Sequence, residues 1–301
     1  MTTGSFDVII VGGSYAGLAA GMTLGRALKN VLIIDDRKPC NRQTPQSHNF
    51  LTQDGKAPGE IASNGKQQVQ LYKTVQFADA TAAHARRVEN GFEISVAGGK
   101  RFHTKKLLFA TGIKDLLPAI DGIADSWGIT ALHCPYCHGY EVRNKATGIL
   151  SDGDAGFEFA RLLSNWTKDL TLFTNGPSTL TNDQQKDLTN HSIHIVENKI
   201  EKVEHNNGHI QKLVFTNAVT ISIDALYVPS SFEQHCKIPQ ELGCELTGDG
   251  YISTDIFHET TVPGVYAIGD NASKNRTVAN AVSSGASAGI VISKKMIAEE
   301  W

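Results

Sequence analysis

At 301 residues, with 41% hydrophobic and 20% charged residues, the chain can bury the cores of two domains or of one large one. A formal net charge of -3 supplies no footprint for nucleic acid or an anionic membrane, and no apolar run approaches the length that spans a bilayer. The first six residues lack a basic region and the apolar run that follows is too short for a signal peptide, so a cytoplasmic protein is expected, whose five cysteines do not read as structural disulfides.

Residues 6–11 are a β-branched apolar run, which predicts a buried parallel strand. It leads directly into Gly12-Gly13-Ser14-Tyr15-Ala16-Gly17. The spacing predicts a helix over 15–28 and a second strand over 31–34 that ends at Asp35. Strand, glycine turn, helix, strand and acid together form a dinucleotide-binding pattern. Gly12 permits the tight turn. Ser14, in place of the usual second glycine, is small enough to let phosphate approach the backbone. Gly17 allows helix and strand to pack closely. The exposed N–H groups of the helix N-terminus favour a pyrophosphate, and Asp35 is spaced to bind ribose hydroxyls.

Residues 37–55 read as a long irregular loop, broken by Pro39, Pro45 and Gly55. Its Arg42, Gln43, His48 and Asn49 are candidates to line a cofactor, with a solvated connector as the alternative. A helix is expected after Pro58, short strands over 92–96 and 101–103, and a buried strand over 106–112 that closes on Ala110-Thr111-Gly112.

From about residue 114 the character changes. A crossover over 116–120 precedes His133-Cys134-Pro135-Tyr136-Cys137-His138. A strand over 146–150, a turn over 151–156, a helix over 157–165 and a strand over 170–173 then repeat the plan of the first fifty residues. The repeat is eroded. Ser151 replaces the first turn glycine, the second strand ends at Thr174-Asn175 without an acid, and no arginine lies between Arg161 and Arg276. Neither an NAD ribose nor an NADP phosphate finds its usual partner, although several lysines offer point charges. The second unit therefore either binds a nicotinamide nucleotide or serves as a scaffold for the cysteines. Strands are expected over 193–203, 209–216 and 219–228, with a hairpin turn at Asn206-Asn207-Gly208. A strand over 261–270 ends in Gly269-Asp270, and a long helix follows over 277–299.

Two cysteines separated by two residues can close a disulfide or open to a dithiol, and His138 or His133 can carry the proton because imidazole titrates near neutrality. Three other readings of the pair exist. Cys-x-x-Cys-His also anchors c-type haem, but that chemistry needs export. A zinc site needs two further ligands, and the sequence has no second Cys-x-x-Cys. A pair of merely buried thiols is the third.

The glycine turn at Gly12, Ala110-Thr111-Gly112, Cys134-Pro135-Tyr136-Cys137 and Tyr266-Ala267-Ile268-Gly269-Asp270 occur in the order seen in low-molecular-weight thioredoxin reductases, and the chain resembles that family over nearly its whole length. Within it, residues 12–17, 134–141 and 173–177 resemble the branch that includes the gliotoxin- and holomycin-type dithiol oxidases. The resemblance implies an α/β fold of two Rossmann-like domains: an FAD-binding domain from residues 1–114 and 230–301, and an inserted NAD(P)-binding-like domain over 115–229. It implies FAD pyrophosphate at Gly12, Gly13, Ser14 and Gly17, ribose at Asp35, and further cofactor contacts at Thr111, Gly112, Asp270, Thr277 and Val278. Arg42, Gln43, His48 and Asn49 would approach the ring or its tail. Cys137 would face the flavin and Cys134 the substrate. His138 stands where thioredoxin reductases proper carry an acid, and this favours the oxidase-like branch. The expected partner is an external thiol or disulfide, either a small molecule or a thioredoxin-like protein, with NAD(P)H an open question and a homodimer implied. A non-catalytic flavin-binding redox sensor is the alternative from another class.

Overall fold

The computed structural model describes residues 2–301. It is an α/β protein of two compact units, the second inserted into the first. Unit 1 takes the chain up to Arg42, Phe50–Lys114 and Phe232–Trp301; unit 2 takes Gln43–Asn49 and Asp115–Ser231.

In unit 1, β1 (Thr2–Val11) lies in the middle of a mostly parallel sheet. It pairs with β2 (Val31–Asp35) on one side and β6 (Arg101–Phe109) on the other; β3 (Val75–Asp79) extends the sheet beyond β2. The antiparallel pair β4 (Ala82–Val88) and β5 (Gly91–Val96) extends it beyond β6, and β17 (Val265–Ala267) adds a parallel strand to β6. Because successive side chains alternate across a strand, β1 feeds two cores at once. Val8 and Ile10 face α1 (Tyr15–Arg26) and α8 (Val278–Glu300), among Leu24, Ile33, Tyr266, Ile292 and Met296. Ile9 and Val11 face the opposite side, with Leu32, Ile34, Phe92, Leu107 and Phe109. Each such side chain, fully buried, contributes about 1.5–3 kcal/mol. The continuous apolar run of β1 is thus the signature of a strand covered on both faces. Helix α2 (Pro58–Gln70) starts on Pro58, whose missing N–H costs nothing in the first turn. The short α7 (Ile238–Glu241) completes the unit.

Unit 2 holds a parallel sheet in the order β11 (His194–Val196), β10 (Leu170–Phe173), β9 (Thr147–Leu150), β15 (Ala225–Tyr227), β8 (Ala131–Leu132). Helix α5 (Gly153–Leu163) connects β9 to β10, and α6 (Asn182–Asn190) connects β10 to β11. An antiparallel sheet of β12 (Ile200–Asn206), β13 (His209–Phe215) and β14 (Thr220–Ser222) covers one face through Val203, Leu213 and Phe215. Asn207 and Gly208 make the two-residue hairpin with φ of 50° and 80°, as a primed turn requires. The short helices α3 (Ile123–Ser126) and α4 (Pro135–His138) flank β8, and β7 (Ile113–Leu116) pairs with β16 (Ser231–Gln234) in a two-stranded ribbon.

Several expectations need correction. The strands expected over 101–103 and 106–112 are one continuous strand, β6, and the strand expected over 261–270 is the three residues of β17 followed by a single 3-10 turn at Gly269–Asn271. The strand expected over 193–203 is two strands, β11 and β12, because the segment leaves the parallel sheet and joins the antiparallel one. The strand over 219–228 likewise divides into β14 and β15, with Asp224 between them accepting the Ala146 amide. Helix α5 begins at Gly153 rather than at 157, because Asp152 is its N-cap.

Candidate functional site

The glycine turn of unit 1 is set by two close approaches. Gly12 has φ of 105°, and a Cβ there would lie 2.2 Å from the Ala110 carbonyl oxygen. A Cβ on Gly17 would lie 1.9 Å from the Gly12 carbonyl oxygen, so helix α1 rests directly on the turn. Ser14 is the N-cap of α1, but its side chain makes no capping hydrogen bond. The first amides of the helix thus have no side-chain acceptor from that residue. Asp35, at the end of β2, accepts the Gly13 amide at 3.1 Å. A cleft of about 680 Å³ opens here, lined by Gly12, Gly13, Ser14, Asp35 and Thr111 among others. Uncapped helix amides suit an anion, and a carboxylate at a strand end suits ribose hydroxyls, so this lining fits a dinucleotide.

Gly17, Gly112, Asp270, Thr277 and Val278 belong to the same unit outside that lining. Thr277 caps α8 by accepting the Asn280 amide at 3.1 Å. Arg42 is exposed and donates to the Pro39 carbonyl, also in unit 1. Gln43, His48 and Asn49 fall in unit 2. Sequence reasoning missed Asn271. It is fully buried and donates through Nδ2 to the Phe109 carbonyl at 3.0 Å and to Thr111 Oγ1 at 3.1 Å. Its position after Gly269-Asp270 was the one available signal.

The corresponding turn of unit 2 is closed by the chain itself. Asp152 Oδ1 accepts Ser178 Oγ and the Thr179 amide, both at 3.1 Å, and Oδ2 accepts that amide at 2.9 Å and Thr179 Oγ1 at 2.7 Å. Burial works against the Asp152 charge, but the Thr179 and Ser178 bonds outweigh it and hold the carboxyl below its usual range. A carboxylate therefore sits at the N-terminus of α5, the position at which a dinucleotide-binding unit receives phosphate. The Ser178–Thr179 segment is tied down over it, and Gln184 adds a bond to Asp154 at 2.7 Å. Asn175, where a ribose-binding acid is missing, is committed elsewhere: its Oδ1 accepts the Ile200 amide at 2.7 Å.

The cysteines lie at the start of α4. Cys134 is the N-cap and Pro135 the first helical residue. Cys134 and Cys137 form a disulfide with Cα atoms 5.3 Å apart. Cys134 Sγ accepts the Cys137 amide at 3.2 Å, a bond that would stabilise a thiolate there once the disulfide opens. Both cysteines are half-buried, while Tyr136 and Tyr140 are exposed. Trp166 meets Tyr136 edge-on at 5.4 Å and covers Gly139, where a Cβ would lie 2.8 Å from the indole nitrogen. His133, the second imidazole considered for proton transfer, stacks on Trp127 at 5.6 Å. Burial lowers the pKa of His138; Glu141 opposes that shift and His48 adds to it. His48 Nε2 is 3.6 Å from Glu141 Oε1. Among the described residues no three His, Cys, Asp or Glu side chains form a metal-binding group, and no helix is long and apolar enough to cross a membrane.

Known proteins carry the same plan. The family model for pyridine nucleotide-disulphide oxidoreductases matches residues 6–285. A thioredoxin reductase of Aspergillus oryzae, aclD, is 29% identical, with 98% of each chain covered. The crystal structure of a putative thioredoxin reductase, TrxB, from Bacillus anthracis superposes with a TM-score of 0.94 at 28% identity, covering 98% of this chain and 100% of that one. An oxidoreductase from Agrobacterium tumefaciens is 35% identical with a TM-score of 0.91, over 97% and 99% of the two chains. The chain belongs to the pyridine nucleotide-disulphide oxidoreductases, as an FAD-dependent disulfide oxidoreductase of thioredoxin-reductase type.

Proposed function

We propose that the protein oxidises an external dithiol, passing two electrons through Cys134 and Cys137 to FAD and on to dioxygen. The observation that carries the direction is the closed second turn: Asp152 holds a negative charge at the N-terminus of α5 and is tied to Ser178 and Thr179. A pyrophosphate brought there would meet like charge and would have to break four hydrogen bonds. Electrons then enter from the thiol side. The relatives known as thioredoxin reductases favour the converse reading, an NAD(P)H-dependent reductase of thioredoxin or another disulfide.

In the oxidase reading, Gly12, Gly13, Ser14 and Gly17 hold the FAD pyrophosphate and Asp35 the ribose. Thr111, Gly112, Asp270, Thr277 and Val278 serve the rest of the cofactor, with Arg42, Gln43, His48 and Asn49 toward the ring or its tail. FAD, when bound, accepts two electrons and returns them to dioxygen as hydrogen peroxide. The chain's own residues do the thiol chemistry. A substrate thiolate attacks Cys134 Sγ, the disulfide breaks, and Cys137 leaves as a thiolate. The second substrate thiol attacks the substrate sulfur of this mixed disulfide, Cys134 Sγ leaves as a thiolate, and the substrate departs as its own disulfide. His138, neutral because burial disfavours its charge, takes the proton from the attacking thiol. The net change is one dithiol and one dioxygen to one disulfide and one hydrogen peroxide. Dithiothreitol supplied in air tests this: peroxide should appear one for one with oxidised dithiol. Turnover that appears only when NADPH or NADH is added sinks the proposal and leaves the reductase. A homodimer is the assembly expected for either reading.

A further inference from the structure

Asn271 ends the 3-10 turn that begins at Gly269, and it is fully buried. Its backbone is held from two sides: the carbonyl accepts the Ile252 amide at 2.8 Å and Gln234 Nε2 at 2.9 Å. The side chain reaches the end of β6, where Nδ2 lies 3.0 Å from the Phe109 carbonyl oxygen and 3.1 Å from Thr111 Oγ1. A carbonyl oxygen only accepts, so the carboxamide atom facing Phe109 is the nitrogen. That nitrogen only donates, so the Thr111 hydroxyl is the acceptor in its own bond with Asn271. Both amide hydrogens are thereby used. The amide oxygen Oδ1 is buried and, among the described residues, has no partner. A buried acceptor left without a donor is destabilising, and an apolar residue of similar size would fill the position without that penalty. The asparagine therefore does something that filling space does not.

Its effect falls on one hydroxyl. A threonine hydroxyl carries a single hydrogen, which rotates to suit its neighbours. With Asn271 donating to Oγ1, the Thr111 hydrogen is turned away from Asn271. Thr111 lines the dinucleotide cleft beside the glycine turn, and a Cβ on Gly12 would lie 3.2 Å from the Thr111 amide nitrogen. We propose that Asn271 is a positioning residue for the cofactor: it holds the Thr111 hydroxyl as a donor directed into the cleft, toward an acceptor oxygen of FAD near the pyrophosphate. Without Asn271 the hydroxyl rotates freely, and ordering it opposes binding. The inference rests on the placement of FAD in this cleft given above, and is independent of the direction in which electrons move.

A double-mutant cycle separates this role from that of a structural brace. FAD is titrated calorimetrically into the full-length protein freed of FAD, carrying Thr111→Val, Asn271→Leu or both. Thr111→Val removes the donor and should weaken FAD binding about 10- to 100-fold, as for a hydrogen bond to a charged group. Asn271→Leu removes only the orientation and should weaken it about 2- to 10-fold. In the Thr111→Val background no hydroxyl remains to orient, so Asn271→Leu should add less than about twofold. Thr111→Ser, which keeps the hydroxyl, should bind FAD close to the wild-type affinity. Asn271→Asp is taken through the same cycle in case the leucine variant does not fold. It keeps the shape, but its carboxylate accepts the Thr111 hydrogen and turns the donor out of the cleft, so it should weaken FAD more in the wild-type background than beside Thr111→Val. Equal losses in the two backgrounds would show a structural brace and overturn the inference. So would a Thr111→Val protein that binds FAD like the wild type while Gly17→Ala does not. If neither Thr111→Val nor Gly17→Ala weakens FAD, the placement of the cofactor in this cleft falls as well.

Discussion

Gly17→Ala is the sharpest perturbation of the cofactor turn. A Cβ at this position would lie 1.9 Å from the Gly12 carbonyl oxygen and 3.3 Å from the Ile10 side chain. A normal carbon–oxygen contact is well over 3 Å, so α1 or the turn has to move by roughly an ångström. The helix has little room to retreat. On its far side α8 presents Gly285, where a Cβ would already lie 2.2 Å from the Ala16 carbonyl oxygen. Overpacking of this kind costs about 1–3 kcal/mol. Spent on the turn proposed to hold the pyrophosphate, that is about a 5- to 150-fold weaker hold on FAD. Gly59→Ala is the control, because a Cβ there meets nothing within 4 Å and α2 gains about 0.5–1 kcal/mol of helix propensity. The assay is flavin retention: absorbance at the flavin band per polypeptide after extensive dialysis, with calorimetric titration of FAD into the stripped protein. If Gly17→Ala retains FAD as tightly as Gly59→Ala, the close approach at Gly12 does not position the cofactor and the argument fails.

Other consequences are open to simple measurements. Cys137→Ser should abolish flavin bleaching by dithiothreitol while leaving the oxidised flavin spectrum in place; unchanged bleaching would remove the cysteines from the electron path and favour a redox sensor. Because burial lowers the His138 pKa, bleaching by dithiol should hold its plateau at pH 7 and decline only below the ordinary imidazole range, so a midpoint above about 6.5 contradicts the assignment. Asp152→Asn should lower stability by about 1 kcal/mol at pH 7, since the Thr179 amide and hydroxyl lose their shared acceptor. The sign follows from the depressed Asp152 pKa: its contribution is complete above about pH 4 and is lost as the pH falls through the folded-state value, so wild-type and variant melting curves should converge in acid. Thr277→Ala removes the cap on the Asn280 amide and should cost about 1 kcal/mol, read as a fall of a few degrees in Tm.

The parts of this molecule that the sequence announces are those fixed by local chemistry. The run over 6–11 is apolar throughout because β1 is covered on both faces, and Gly12 and Gly17 are glycine because backbone approaches them closely. The hairpin at Asn207-Gly208 is legible for a similar reason, since both residues carry positive φ. What the sequence conceals depends on partners far apart in the chain. Ser151 and Asn175 show that the second turn has eroded, but not that Ser178 and Thr179 fold back onto Asp152 and bind its carboxylate. The pattern of 151–156 reads as a turn, although it holds the first turn of α5, because an aspartate followed by glycine is as good a turn signal as it is an N-cap. His48 sits in an irregular segment with no periodicity, and its proximity to Glu141 follows only from the folding of Gln43–Asn49 into unit 2. Asn271 was overlooked because nothing local distinguishes a buried asparagine that braces Thr111 from an exposed one in a turn.

The central claim concerns where the electrons come from. The purified protein, loaded with FAD and held under anaerobic conditions, is titrated in turn with dithiothreitol, NADPH and NADH while the flavin absorbance is recorded. The account predicts that one equivalent of dithiol beyond that needed to open the Cys134–Cys137 disulfide bleaches the flavin, and that neither nicotinamide nucleotide does so. Rapid bleaching by a stoichiometric amount of NADPH or NADH would contradict it, and would show that the carboxylate of Asp152 does not close the second site.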